Sequence, residues 1–365
     1  MNELQIQTYL RAGNTPESLS ERYVKHRRHQ QHPELVLFKY DIFANFGDPL
    51  VCECRGVILN EQDNWNIVSR AFNKFFNFGE GHAAEIDWKS ARVQEKLDGS
   101  LCVMYHYKGE WHVATSGTPD ASGEVRGSAM QESLQRFTDR TFADYFWETF
   151  HAEGGQLPDG YENFCFVFEL MGPANRVVVV HDREWMRLLA VRDRVTGHEL
   201  NVEEYWGITK ISPVRSFSLS SVEEIVNSFE SISPVSQEGY IVVDKHLNRV
   251  KIKHPGYVAL HHAKDGMSAK AFAEIARTGE VSEVIAAFPE FSSMLDDARA
   301  KYTTFVERCQ AEYDRIKHIP VQKDFALEAL KTPYSAAMFH MRKGKDLREL
   351  AKSVTIDTFM QWVGM

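Results

Sequence analysis

An α+β fold, antiparallel-rich in its sheets and followed by an all-helical segment, is predicted by three features of this sequence. Between about residues 34 and 255, short alternating apolar runs recur with few helices between them. A doubly wound parallel sheet would need helices after most strands. After "HPGYV" the apolar residues step by three and four instead of two, which is helical spacing. The length, 365 residues, is also more than one ordinary core holds. A first domain is therefore expected over residues 1-255 and a helical C-terminal domain over residues 256-365.

The strand candidates come in the order "ELVLFKY", "CRGVIL", "RVQEKL", "LCVMYHY", "WHVATS", "FCFVFEL", "RVVVV", "MRLLAVRD", "GYIVVD" and "RVKIKH". Each is a short β-rich run bounded by polar or glycine residues. Cys52 and Cys54 fall on one face of the longer run "LVCECRGVIL" and are expected as buried strand residues. With no second Cys or His pair at metal spacing they do not suggest zinc. Two stretches read as helices within the first domain, "MQESLQRFTDRTFADYFWETFHA" and "SVEEIVNSF", the latter opening on a capping-box pattern. In the last third, Phe291, Met294, Leu295, Ala298, Tyr302, Phe305, Val306, Cys309, Tyr313 and Ile316 mark one face of a long amphipathic helix.

Composition excludes several classes. Hydrophobic residues make up 43% and aromatic residues 12%, which describes a soluble globular chain. No apolar run nears the roughly 20 residues of a membrane-spanning helix, and the N-terminus lacks the basic and apolar regions of a secretory signal. Five scattered cysteines suggest reduced thiols and a cytoplasmic setting, or a host cytoplasm if the source is viral. A net charge of −9 argues against a general nucleic-acid coat but leaves room for an enzyme with a local basic groove. Basic residues do cluster, in "RYVKHRRHQQH", which reads as a solvated helix face, and in "DKHLNRVKIKH".

The chemistry centres on "EKLDGSL". Asp-Gly between two strands is an ordinary hairpin signal, so other parts of a phosphate-handling site must accompany Lys96 before it means more. A lysine that attacks phosphorus must be neutral, although its unperturbed pKa is about 10.4. Neighbouring cations and desolvation lower that value and also hold the phosphate for in-line displacement. Carboxylates should converge there to support a metal. Lys251 and Lys253 alternate with Val250 and Ile252, so both leave one strand on the same face. Glu238-Gly239 opens the preceding strand, and Glu169 sits in the very apolar "FCFVFELMG", where an unpaired carboxylate is costly. Arg55-Gly56 and Lys74 lie upstream. Each has a plainer explanation: surface charges for the lysines, a buried ion pair for Glu169, core packing for Phe75 and Phe76. Their joint appearance has none.

"EKLDGSL" resembles motif I of the covalent nucleotidyltransferase superfamily of ligases and capping enzymes. Within it the chain resembles the RNA ligase 1 family typified by the phage T4 enzyme. The resemblance rests on "ECRGVIL", "SRAFNKFFN", "EKLDGSL", "FVFELMGPANRVVV", "MRLLAVRDRVTG", "EGYIVVD" and "VKIKHPGYVALH", in the family's order over about residues 50 to 262. DNA ligases and capping enzymes usually carry Arg two positions after the motif glycine; here Ser100 is followed by Leu101. There is no Walker-type phosphate loop, so no end-healing kinase is expected in this chain.

The resemblance implies a nucleotidyltransferase (adenylyltransferase) domain and an ATP-dependent RNA ligase. Lys96 would attack the α-phosphate of ATP and become a lysyl-adenylate. Lys251 and Lys253 would grip that phosphate. Arg55 and Lys74 would contact the triphosphate tail, and Phe76 and Glu95 would belong to the nucleotide pocket. Asp98 and Gly99 would set the loop around the adenylate. Glu169 would hold the ribose or a metal's water shell; Glu238 would serve the metal and Gly239 the adenine end. The metal would be Mg²⁺, with Mn²⁺ an alternative. AMP would then pass to an RNA 5′-phosphate, and a 3′-hydroxyl would displace it. The implied partner is single-stranded RNA, tRNA among the candidates, with a repair role, a monomeric enzyme and no membrane. The alternatives are a DNA ligase or capping enzyme, or a non-catalytic RNA-binding protein on a ligase fold. One departure stands out. The family usually has Lys or Arg in a Ser-Lys-Gly or Thr-Arg-Gly segment at the end of the strand after motif I, and this chain has Ser116 there, in "VATSGTPDASGEVRG". Arg126 is a candidate substitute. The helical tail resembles that family's C-terminal domain less specifically, as a possible RNA-recognition module.

Overall fold

Period-two alternation builds three sheets before residue 257. The first has the order β1-β2-β3-β4, from Val24–Arg28, Leu35–Tyr40, Arg55–Asn60 and Asn66–Ser69. The second has the order β11-β10-β9-β7-β8, where β7 is Ser100–Tyr107, β8 Glu110–Thr115, β9 Phe164–Met171, β10 Trp185–Asp193 and β11 Glu199–Leu200. The third has the order β12-β6-β13-β14-β5, where β5 is Phe76–Asn77, β6 Arg92–Lys96, β12 Ser216–Phe217, β13 Gly239–Val243 and β14 Arg249–Lys253. These strand pairs are antiparallel except β5 beside β14. The computed structural model describes residues 3–125, 140–175, 177–179, 181–232, 236–254, 257–258, 269–279, 281–282, 285 and 291–365. It divides into two compact units, Met1–Tyr257 and Val258–Met365.

Alternation also decides what each face does. On β2, Leu35 and Leu37 face the second sheet and pack with Val103, Tyr105, Cys165 and Val167, while Val36 and Phe38 face the opposite core with Leu4, Ile6 and Leu10. The far side of the second sheet is covered by α1 (Phe142–Ala152), whose Phe146 and Phe150 meet Phe168 with ring centroids 5.5 and 6.2 Å apart. Such ring pairs add about 0.5–1.5 kcal/mol each beyond their buried area. The helix begins where Thr141 and Asp144 cap each other reciprocally.

Several expectations are corrected. In "LVCECRGVIL", Pro49–Glu53 is a short helix, not strand, because Asp48 caps its first turn and Pro49 cannot donate to a ladder. Cys52 therefore lies on a helix and Cys54 at its end, with only Arg55 onward in β3. The basic run "RYVKHRRHQQH" is not a helix face: Val24–Arg28 is edge strand β1, paired with β2. Of the long helix expected from Met130, the described part starts at Phe142, and residues 130–139 lie outside the described residues. In "RVVVV", residues 177–179 form no strand, since the Val178 and Val179 amides donate to the Asp98 carboxylate instead of a ladder. Val222–Ser228 is helical as read, with Ser221 accepting from the Glu224 amide, but Glu224 reaches back to Ser220.

In the second unit, Ser292–Ile316 is one helix that buries Leu295, Ala298, Tyr302, Phe305, Cys309 and Ile316. Tyr302 meets Phe359 edge-on at 5.1 Å and Phe305 stacks on Trp362 at 5.7 Å. Met294, placed on the apolar face by spacing, is 54% exposed. It belongs to the first turn, just before the buried positions begin at Leu295. No described helix is long and apolar enough to cross a membrane.

One glycine governs how the first two sheets meet. At Gly56 the β2–β3 register slips by a residue, so Lys39 lies opposite Arg55 while Phe38 lies opposite Val57. Gly56 has φ +85°, and an added Cβ would come 3.1 Å from the Ser116 Cα. This is a glycine bulge with a close backbone approach on top. Replacing Gly56 with Ala should cost about 1–2 kcal/mol from the left-handed backbone and the contact together. Urea unfolding of the variant measures it; an unchanged midpoint would contradict the bulge.

Candidate active site

Lys96, Gly239 and Lys253 form one cross-strand row: Gly239 on β13 is in register with Lys96 on β6 and with Lys253 on β14. Paired residues share a face, so both ammonium groups leave the sheet on the same side, and Lys251, two residues before Lys253, joins them. The opposite face carries Val93, Tyr240, Val242, Val250 and Ile252, packed on Ile225 and Phe229. A well-filled core thus holds three strands whose other face is charged. Gly239 in the middle can be nothing larger, since a Cβ there would lie 2.3 Å from the Ile252 carbonyl oxygen and 2.7 Å from the Lys253 Cα.

Glu238, next to that glycine, joins the row together. Lys96 Nζ donates to its Oε2 at 2.6 Å and Lys253 Nζ to its Oε1 at 3.1 Å. The residue is only 4% exposed. Removing a carboxylate from water is expensive unless it is paired and hydrogen-bonded, and here two cations do both. Glu95 precedes Lys96 but is in register with Tyr240, on the other face of the strand. Its carboxyl is pushed up by burial, with Arg215 and Arg187 acting against that shift.

Glu169 approaches from the second sheet. It follows Cys165 and Val167 along β9 on the face turned to the first sheet, and its Oε1 accepts from the Gly99 amide at 3.2 Å. Its carboxyl is pushed up to about 7 chiefly by removal from water, and Lys96, Glu238, Arg55 and Asp98 all act on it through charge. Lys96, Glu238 and Arg55 therefore all lie near enough to Glu169 to act on its charge. The Arg55 guanidinium lies over Phe75, 4.8 Å from the ring centre, and its Nη1 is buried with no hydrogen-bond partner among the described residues. Lys74 lies over Phe46, Phe76 and Tyr40, 4.7, 5.2 and 5.4 Å from the ring centres. Phe76 is buried against Phe46 and His82, beneath Lys74 and not beside Lys96.

The "KLDGS" turn is held by its aspartate. Asp98 Oδ2 accepts from the amides of Val178 and Val179 at 2.8 and 2.7 Å, and Oδ1 accepts from the Tyr257 hydroxyl at 2.9 Å. The Asp98 carbonyl meets His181 Nε2 at 3.1 Å, while Trp185 Nε1 donates to His181 Nδ1 at 3.3 Å. With Nδ1 accepting from Trp185, Nε2 is the donor to the Asp98 carbonyl. Gly99 has no room for a side chain, because a Cβ would sit 2.4 Å from the Leu170 carbonyl oxygen. Beside the turn opens a cavity of about 400 Å³ whose walls include Lys96, Asp98, His181, Trp185, Arg187 and Glu238. Sequence reading missed His181, Trp185 and Tyr257. They are marked only by hydrogen bonds, His181 and Tyr257 meeting Asp98 from 83 and 159 positions away and Trp185 donating to His181.

The donor set suits a hard cation that keeps most of its water. Among the described residues no three His, Cys, Asp or Glu side chains are placed to hold a metal. Mg²⁺ commonly rests on one or two carboxylates plus substrate phosphates, and Glu169 and Glu238 supply two carboxylates close to Lys96. Ser116 has Lys39 beside it, with Nζ 3.3 Å from Oγ. Arg126, the candidate substitute, lies outside the described residues.

The sequence is similar to known proteins over much of its length. A family profile described as RNA ligase, of the T4 type 1, matches residues 53–257. An RNA ligase of Rhodothermus phage RM378 is 25% identical, across 78% of this chain and 76% of its own length. RNA ligase 1 of bacteriophage TS2126 is 31% identical across 48% of this chain and 42% of its own length. A solved archaeal ATP-dependent RNA ligase superposes with a TM-score of 0.45 at 13% identity, covering 90% of each chain.

The elevated Glu169 carboxyl predicts a pH signature. Its folded-state value near 7 exceeds the ordinary 4.5, so the fold favours the neutral acid. That contribution is fully present below about 4.5 and is lost as pH rises through about 7. Without nucleotide or metal, wild type should therefore lose stability relative to Glu169→Gln across this window in chemical unfolding. A difference that stays flat with pH would show that Glu169 is not held neutral.

Proposed function

The chain belongs to the RNA ligase family of T4 RNA ligase 1 type, and from that membership we propose that it seals RNA ends in three nucleotidyl-transfer steps, with ATP as the adenylate donor. The observation that carries this reading is the row in which Lys96 and Lys253 share the Glu238 carboxylate across Gly239. It gives a nucleophile a fixed position, a flanking cation and a carboxylate at one end of a rigid sheet, as in-line displacement requires.

In the first step Lys96 Nζ forms a bond to the α-phosphorus of ATP while the bond from that phosphorus to the bridging oxygen breaks. Pyrophosphate leaves with the electron pair. Nζ must shed its proton, and Glu238 Oε2 at 2.6 Å is a ready acceptor. Lys253 and Lys251 stabilise the charge that develops on the α-phosphate oxygens, an electrostatic contribution that grows toward the transition state. Arg55 and Lys74 hold the departing phosphates. A divalent cation, Mg²⁺ or Mn²⁺, supplies further neutralisation of phosphate charge when bound, and Glu169 and Glu238 are the residues that would hold it. In the second step a 5′-phosphate oxygen of RNA takes the AMP from Lys96. In the third a 3′-hydroxyl attacks that activated phosphate and AMP leaves. Single-stranded RNA with 5′-phosphate and 3′-hydroxyl ends is the substrate proposed, with tRNA among the candidates and repair as the setting. The enzyme is proposed to act as a monomer in the cytoplasm, with the second unit as an RNA-recognition module.

The reading is tested with α-labelled ATP and Mg²⁺ followed by a denaturing gel. Label should stay on wild type and vanish from Lys96→Ala, and Glu238→Gln should slow labelling on the order of a hundredfold or more. Labelled GTP should leave the protein unlabelled, since a capping enzyme would accept it. Among phosphorylated strands, RNA should be sealed in preference to DNA. Wild type that takes no label from ATP would overturn the proposal.

A further inference from the structure

Ser116 stands at the strand end where the resemblance leads one to expect a cation, and the structure brings one there from another strand. Lys39 belongs to β2, far from Ser116 in sequence, yet its Nζ lies 3.3 Å from Ser116 Oγ. The same ammonium is the group a side chain at Gly117 would meet, 3.7 Å from an added Cβ. The route is physical. The bulge at Gly56 sets Lys39 directly opposite Arg55, so their side chains share the face turned to the second sheet. Gly56 itself presses on the Ser116 backbone, which joins this end of β3 to the end of β8. Lys39 therefore stands at the Ser116–Gly117 corner with Arg55 as its cross-strand neighbour. Arg55 has a buried Nη1 without a partner among the described residues and acts electrostatically on Glu169. A paired-cation corner with a donor left over is built for an anion.

We propose that Lys39 supplies from β2 the phosphate-binding cation that the strand end at Ser116 lacks, and that with Arg55 it holds the polyphosphate of the nucleotide. The inference rests on the ligase reading for its ligand. The charge reaches this corner from β2 and not from the end of β8.

The test is a reciprocal swap. Lys39→Met, Lys39→Arg, Lys39→Ser and the double variant Lys39→Ser with Ser116→Lys are compared with wild type. Binding of tripolyphosphate and of ATP is measured by calorimetry, alongside the ATP dependence of Lys96 labelling. Lys39→Met and Lys39→Ser should weaken tripolyphosphate binding and raise the half-saturating ATP concentration about tenfold or more, as expected for one lost charge-assisted bond. Lys39→Arg should retain most of the affinity, and the double variant should regain most of what Lys39→Ser loses. Melting temperatures separate these effects from unfolding. Unaltered tripolyphosphate binding in Lys39→Met, or a double variant no better than Lys39→Ser, overturns the assignment. If wild type binds tripolyphosphate through Lys39 but takes no label from ATP, this inference stands and the ligase reading falls. If wild type does not bind tripolyphosphate, the inference itself is wrong.

Discussion

The structure around Lys96 depends on a buried carboxylate shared between two lysines. Glu238 is 4% exposed, and its two oxygens are taken by Lys96 and Lys253. Such a group is tolerable only while both cations stay in place, since removing either leaves an uncompensated buried charge. That condition constrains everything near it. The three strands must stay in register, Gly239 must lack a side chain, and the apolar face beneath must be filled well enough to keep β6, β13 and β14 from sliding. A one-residue slip of β6 or β14 would turn that strand's lysine side chains to the apolar face.

A second carboxylate plays a different part. Asp98 sits in the "KLDGS" turn but spends its oxygens on two backbone amides and a tyrosine hydroxyl. It ties the motif turn to the segment after β9 and to Tyr257 at the end of the first unit. The two acids of the site thus divide their work. One balances mobile charge beside Lys96, and the other fixes backbone. Glu169 is a third case, a carboxyl whose proton is retained by poor solvation and whose charge state responds to Lys96, Glu238, Arg55 and Asp98. A carboxyl with displaced titration beside a candidate nucleophile is what sites of proton and phosphate chemistry commonly show.

How much of this could be read beforehand varies by element. The faces of β13 and β14 were legible because a strand's side chains alternate strictly, so Lys251 and Lys253 had to emerge together. The helix over Ser292–Ile316 was legible from apolar spacing for the same reason, apart from Met294 at its uncovered start. The runs "LVCECRGVIL" and "RVVVV" misled because local hydrophobicity reports burial, not hydrogen-bond partners. Asp48 with Pro49 won the first for a helical turn, and the distant Asp98 captured the amides of Val178 and Val179 in the second.

By itself the sequence determined that this protein has an antiparallel-rich α+β part and a helical part, that it resembles RNA ligases, and that its candidate nucleophile is Lys96. Those properties follow from periodicity and from motif residues, which local order records. Only the tertiary structure decided that Glu238 bridges Lys96 and Lys253, that Glu95 leaves its strand on the other face, and that Lys39 stands where Ser116 offers no charge. Each of these is a matter of register or bulge between strands distant along the chain. A sequence lists which charges exist, whereas pairing across strands decides which of them share a few ångströms of space.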